Sequence, residues 1–190
     1  GYIGLPTACI LSSKGFKVVG VDVNQRLVDD LNQGKIDAPE PGLADLVNST
    51  IKSGNFIAKI TPEKTDAFVI CVPTPLTEKK KADLSYVKSA VKSILPYLRK
   101  NALVILESTV PPGTTEGILK HILEKSGLKI GSELYLAYCP ERVLPGNILK
   151  EIVENDRIIG GITQESAELA KEIYQSFVKG KIYLTNATTA

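Results

Sequence analysis

Thiols are scarce and histidine is nearly absent. The chain has 3 cysteines, Cys9, Cys71 and Cys139, and a single histidine, His121. The cysteines are odd in number, far apart and without a C-x-x-C pair. That pattern argues against a disulfide framework and suits a reducing compartment, so a cytoplasmic protein is expected. Cys71 and Cys139 end apolar runs, where buried thiols are common. No His, Cys or carboxylate cluster has metal-ligand spacing, so no metal is expected. No apolar run approaches the roughly 20 residues that cross a bilayer, and no signal peptide is visible. No membrane partner is therefore expected. An excess of charge of one sign is lacking too. The net charge is +2, which decides nothing about nucleic acid. The short run Lys79-Lys80-Lys81 lacks aromatics and reads as a solvated loop, so no nucleic-acid partner is expected. His121 sits in a Lys-rich amphipathic helix and reads as a surface residue.

What is present is an ordinary globular composition, 43% hydrophobic and 23% charged over 190 residues. A chain of this length buries roughly 70% of its unfolded surface and needs no staples. Apolar, β-branched runs alternate with helical patterns. Strands are read at FKVVGVDVN (16–24, as a buried strand), FIAKI (56–60), DAFVICVP (66–73), ALVILEST (102–109), LYLAYCP (134–140), DRIIGGIT (156–163) and KIYLTN (181–186). Helices are read at TACILSSKGF, at QRLVDDLNQG with Gly34 as its stop, and at PGLADLVNSTIKSG with Leu43, Leu46, Val47 and Ile51 on one face. Further helices run from Asp83, which can cap its own helix, from Thr114 or Thr115 as cap, and through QESAELAKEIYQSFVKG. Continuous apolar strands between amphipathic helices predict an α/β fold. Its sheet is doubly wound and mainly parallel, Rossmann-like, with binding groups beyond the carboxyl ends of the strands.

The opening GYIGLP resembles the second half of a G-x-G-x-x-G phosphate loop. Gly1 and Gly4 stand at a helix start, where free amides and the helix dipole favour phosphate. The next strand ends in Asp22, 18 residues after Gly4, where a carboxylate binds the ribose hydroxyls of a dinucleotide. That carboxylate repels a 2′-phosphate, so NAD is expected over NADP, with Arg26 nearby as the counter-argument. A phosphate loop needs a strand before it. About ten residues carrying that strand and the first glycine are therefore expected to be missing ahead of Gly1.

Polar groups cluster at three further strand exits. Pro73, Thr74 and Pro75 follow one strand, and Ser108 and Thr109 precede a stiff Val-Pro-Pro-Gly turn after the next. Glu141 and Arg142 follow a third. Hydroxyls, one acid and one base along one rim make a ligand site. These motifs together, GYIGLP, CVPTP, ESTVPPGTT and CPERVLPG in that order, resemble the UDP-glucose/GDP-mannose dehydrogenase family across nearly the whole chain. The segment 139–161 is most similar to the branch acting on UDP-N-acetyl-D-mannosamine. The UDP-glucose branch usually carries a second glutamate where this chain has Pro145.

The resemblance implies oxidation of a sugar C6 alcohol to the acid in two NAD-dependent steps, through a cysteine-bound thioester. It implies that Gly1, Tyr2, Ile3, Gly4 and Asp22 hold the adenosine half of NAD. It places Thr74 and Thr109 along the nicotinamide side, and Pro73 and Ser108, at the same strand exits, are expected to bind the cofactor too. Thr109 matches a threonine that positions a water, and Glu141 an acid that helps hydrolyse the thioester. Glu141, Arg142 and Val143 match positions that touch the UDP-sugar. The family's nucleophilic cysteine and its lysine lie beyond this stretch, after a long central helix through which members pair. Residues 1–190 are thus expected to be the NAD-binding domain, truncated at both ends and inactive alone. The full-length protein is expected to be a homo-oligomer. UDP-glucose or UDP-N-acetylglucosamine oxidation, or a nucleotide-sensing module without chemistry, remain as alternatives.

Overall fold

A computed structural model describes residues 1–36 and 40–190. In chain order, helix α1 (Gly4–Ser13) leads to strand β1 (Val18–Val21), α2 (Gln25–Asn32), α3 (Leu43–Lys52) and β2 (Phe56–Lys59). Strand β3 (Ala67–Ile70) precedes α4 (Ser85–Ile94) and β4 (Ala102–Leu106). The next helical segment is wound wide over Thr115–Leu119, α-helical over Lys120–Leu123 (α5) and tight over Glu124–Ser126. Then come β5 (Leu134–Tyr138), α6 (Ile148–Glu154), β6 (Arg157–Gly161), α7 (Gln164–Tyr174) and β7 (Ile182–Asn186).

Local chemistry sets several boundaries. The Asn24 side chain accepts the Leu27 amide and starts α2, and Gly34 leaves it at φ +73°, a left-handed turn that glycine adopts without strain. Asp83 accepts the Ser85 amide at 2.8 Å ahead of α4. The Ser85 side chain and then this amide bond hold its carboxyl below the usual range. Thr163 caps α7 by accepting from Ser166.

The chain divides into two compact units. The first comprises Gly1–Pro62, Arg142–Asn155 and Ser176–Gly180. Its strands β1 and β2 run parallel, from Val18 opposite Phe56 to Val21 opposite Lys59. Cys9, Val28, Leu31, Leu43, Val47, Phe56 and Ala58 form its core. Gly20 is needed there, because a Cβ would stand 2.8 Å from the Phe56 ring. The expectation that β1 is a buried strand is corrected. Val18 and Val19 are half-buried and Val21 is 46% exposed, because β1 pairs only with β2 among the described residues and covers one face.

The second unit comprises Glu63–Glu141, Asp156–Gln175 and Lys181–Ala190. Its sheet has the order β3-β4-β5-β6-β7. All neighbours are parallel except β5 and β6, where Ala137 faces Gly161 and Tyr138 faces Gly160. Val87 and Val91 of α4, Leu119 and Leu123 pack on Val104, Leu106, Leu134 and Leu136 in a closed core. Each such buried side chain stabilises the fold by about 1.5–3 kcal/mol. At Gly161 a Cβ would lie 2.2 Å from the Thr163 carbonyl, so only glycine lets the chain turn this tightly into α7.

Two further expectations are corrected. Neither Thr114 nor Thr115 caps the helix after β4: the Thr114 hydroxyl donates to the Pro111 carbonyl at 2.6 Å instead. Helix α6, within a stretch read only as part of a motif, is an addition. Ile148 and Ile152, four apart, are its fully buried pair.

Candidate functional site

In the first unit the phosphate-loop residues and Asp22 meet. Gly1 and Tyr2 are exposed, Ile3 is half-buried, and Gly4 is the first residue of α1. No side chain caps α1 and its first turn holds no acid. Its amino end therefore has no capping or acidic side chain of its own, which favours a phosphate there. Asp22 stands just past β1, its amide bonded to the Lys59 carbonyl at 3.1 Å. Its Oδ1 accepts the Asn24 amide at 3.0 Å, and its Oδ2 lies 3.8 Å from the Gly1 nitrogen. The acid and the loop expected to share a dinucleotide are thus side by side. Of the side chain, 30% is exposed, so it retains accepting capacity for a ribose.

The same unit holds Arg142 and Val143. Their loop is pinned by carboxylates. Glu40, 8% exposed, accepts the Gly146 amide at 3.0 Å and the Leu149 amide at 3.4 Å. Glu151 accepts the Leu144 amide at 2.7 Å, and Asn155 donates to the Arg142 carbonyl. The Tyr2 phenol is pushed up by desolvation and by the nearby Glu40 and Glu151 charges.

In the second unit the strand exits knit together. Thr74 donates to the Thr109 carbonyl at 2.7 Å, so the expected nicotinamide-side pair is one contact. Ser108 accepts the Val72 amide at 2.9 Å and donates to the Val72 carbonyl at 2.8 Å, fixing the approach to Pro73. The Glu141 amide donates to the Glu107 carbonyl at 3.4 Å. A hollow of about 130 Å³ opens beside the Val-Pro-Pro-Gly turn, lined by Pro111–Thr115, Tyr138 and Ala187–Ala190. A larger one, about 420 Å³, is lined by Lys120, Glu124 and Gly127–Ile130 on the approach to β5. It carries none of the expected site residues.

Beneath these exits lies a polar cluster that sequence reasoning missed. The Glu141 side chain is 6% exposed and pairs with Arg157, which is 2% exposed. Glu107, 2% exposed, accepts the Tyr174 hydroxyl at 2.6 Å and the Cys71 thiol at 2.8 Å. The Arg157 guanidinium lies 5.1 Å from the Tyr174 ring centre, a cation–π contact. Burial pushes the Glu107 carboxyl up, against the pull of Arg157. Burial also raises Cys71 and Tyr174 well above their usual values and Cys139 to about 12. Burial opposes the Arg157 charge, but Glu141 together with Cys139, Tyr174 and Glu107 outweighs it, and the guanidinium is held firmly protonated. The available signal was register: Ile70 faces Leu106 and Leu106 faces Tyr138, so Cys71, Glu107 and Cys139 line up across three strand ends. His121 is exposed, as expected. Among the described residues no cluster could hold a metal ion, and no helix is long and apolar enough to cross a membrane.

Known proteins match this arrangement closely. The chain is 54% identical over its whole length to a UDP-N-acetyl-D-mannosamine dehydrogenase of Methanococcus maripaludis, covering 44% of that protein. It is 46% identical to an NDP-N-acetyl-D-galactosaminuronic acid dehydrogenase of Ralstonia nicotianae, again over its whole length and 47% of the relative. The solved UDP-N-acetyl-mannosamine dehydrogenase of Staphylococcus aureus superposes with a TM-score of 0.96 at 45% identity, over the whole chain and 47% of that structure. The chain thus spans less than half the length of these relatives. The family model for the NAD binding domain matches residues 1–178, and the chain belongs to the UDP-glucose/GDP-mannose dehydrogenase family.

Proposed function

We propose that this chain is the cofactor-holding part of an enzyme that oxidises the C6 alcohol of UDP-N-acetyl-D-mannosamine to the uronic acid. The observation that carries the sugar assignment is the 54% identity, over the whole chain, to a relative named for that substrate. The first unit fits NAD: an uncapped α1 start for the pyrophosphate and Asp22 for the ribose. NAD, when bound, supplies the ring that accepts hydride. Thr74 and Thr109, already bonded to each other, would border that ring.

The reaction takes two hydrides from one carbon and adds the oxygen of a water. That water must lose a proton as it attacks, which is work for a carboxylate. We assign it to Glu141, with Thr109 positioning the water. Arg142 and Val143 would touch the UDP-sugar from a loop that Glu40 and Glu151 hold in shape. The full-length protein is read as a cytoplasmic homo-oligomer.

The test is an assay of the full-length gene product at 340 nm. UDP-N-acetyl-D-mannosamine, UDP-glucose, UDP-N-acetylglucosamine and UDP-N-acetylgalactosamine are each offered with NAD and with NADP. The expected result is 2 NADH per UDP-N-acetyl-D-mannosamine, with NADP at least tenfold poorer in kcat/KM because Asp22 opposes a 2′-phosphate. The galactosamine arm tests the second reading, which the Ralstonia relative favours. No oxidation of any sugar, with NAD still bound, would leave a sensing module.

A further inference from the structure

We propose that Arg157 is the positioning residue of Glu141: a buried guanidinium that holds the carboxylate in one orientation toward the attacking water. The inference rests on the role given to Glu141 above and goes beyond it. No motif singled out Arg157, and its side chain is closed off at 2% exposure. It is the first residue of β6, and its amide is tied to the Lys181 carbonyl at 2.8 Å, so its backbone cannot drift. Its guanidinium is flanked by the Tyr174 ring. That ring is anchored through its hydroxyl on Glu107, and Glu107 in turn receives the Cys71 thiol. The chain of contacts, Cys71 to Glu107 to Tyr174 to Arg157 to Glu141, is a rigid bracket across the strand ends with one carboxylate at its tip.

The charge arithmetic supports this purpose. A buried ion pair is a poor way to stabilise a fold, since apolar residues of the same volume do as well or better. It is a good way to fix the direction of a carboxylate, because charge-assisted hydrogen bonds to a planar guanidinium are strong and directional. Glu107 is pushed toward its neutral acid form by burial, which leaves the Arg157 charge to Glu141. Glu107 is then an anchor for Tyr174 rather than a competitor for the guanidinium.

Steady-state kinetics of the full-length gene product test the proposal, with Arg157→Met, Arg157→Lys, Glu141→Gln and the double variant Arg157→Met/Glu141→Gln. Glu141→Gln is expected to lower kcat by about 10²–10⁴, the span of general-base contributions. Arg157→Met should fall by a comparable factor while KM for NAD and for the sugar nucleotide stays within about threefold. Arg157→Lys should recover kcat to within about tenfold. The decisive quantity is the double variant. If Arg157 acts through Glu141, its kcat is no lower than that of Glu141→Gln alone. Arg157→Met leaves a buried carboxylate without its cation. If it fails to fold, the double variant, which has no orphaned charge, and the Lys variant decide.

A double variant whose losses multiply would overturn the proposal while leaving Glu141 catalytic. So would an Arg157 variant with a lower melting temperature and unchanged kcat. Normal turnover by Glu141→Gln, or no oxidation by the wild type, would overturn both the assignment of Glu141 and the inference built on it.

Discussion

Glu107 is the residue whose environment departs furthest from its chemistry. It is a carboxyl just past the end of β4, between β3 and β5, with two donors and little water, and burial raises its folded-state value. A carboxyl raised on folding stabilises the native state at low pH. That contribution is complete below the unfolded value of about 4.3 and is lost as pH rises through the folded value. Glu107→Gln stays neutral and keeps a carbonyl for the Tyr174 hydroxyl. Its stability relative to wild type should therefore climb as pH rises above about 5. Urea midpoints of both proteins from pH 5 to 8 measure this, and parallel curves would contradict it. At this scale the sequence speaks unevenly. Thr74, Ser108 and Thr109 are legible because they follow apolar runs broken by proline, and that places them at strand exits. Arg157 and Glu107 are not legible, because a charge beside an apolar run has no local pattern. Only the partner across the sheet says whether it faces water or another charge.

Among the elements, α6 shows why short helices escape a reading by periodicity. It has 7 residues, too few for a helical period to stand out or for the helix to persist alone. No side chain of its own N-cap bonds to it. Glu40 supplies that bond from 109 residues earlier in the chain. Where the cap is local, as with Asn24 before α2 and Asp83 before α4, the sequence shows the boundary. Glu40→Ala removes two charge-assisted bonds from the loop of Arg142 and Val143. The loss should be about 2 kcal/mol in urea unfolding. In the full-length protein KM for the UDP-sugar should rise more than KM for NAD if the loosened loop carries the residues proposed to touch the sugar. Equal rises in both constants would mean that Glu40 supports only the fold.

For the chain as a whole, the parallel order of β3, β4 and β5 follows from their unbroken apolar runs, as the sequence implies. The antiparallel join of β5 to β6 does not follow from such a pattern: it rests on two residue pairs, Ala137 with Gly161 and Tyr138 with Gly160, and strand direction leaves no mark on an apolar run. The thiols lead to the last prediction. Burial lifts Cys9 to about 11 and Cys139 to about 12, and Cys71, half-buried and bonded to Glu107, is raised as well. At pH 8 the thiolate fraction of Cys9 is about one in a thousand, and that of Cys139 smaller still. The cysteine-bound thioester expected from the family resemblance would need a reachable thiolate, and none of these three offers one. The 190-residue chain should therefore make no NADH from any UDP-sugar. Its 3 cysteines should resist a disulfide reagent in the native state and all react once urea unfolds the protein. A thiol that reacts within seconds at pH 8 in the folded chain would place a nucleophile where the buried core now excludes one.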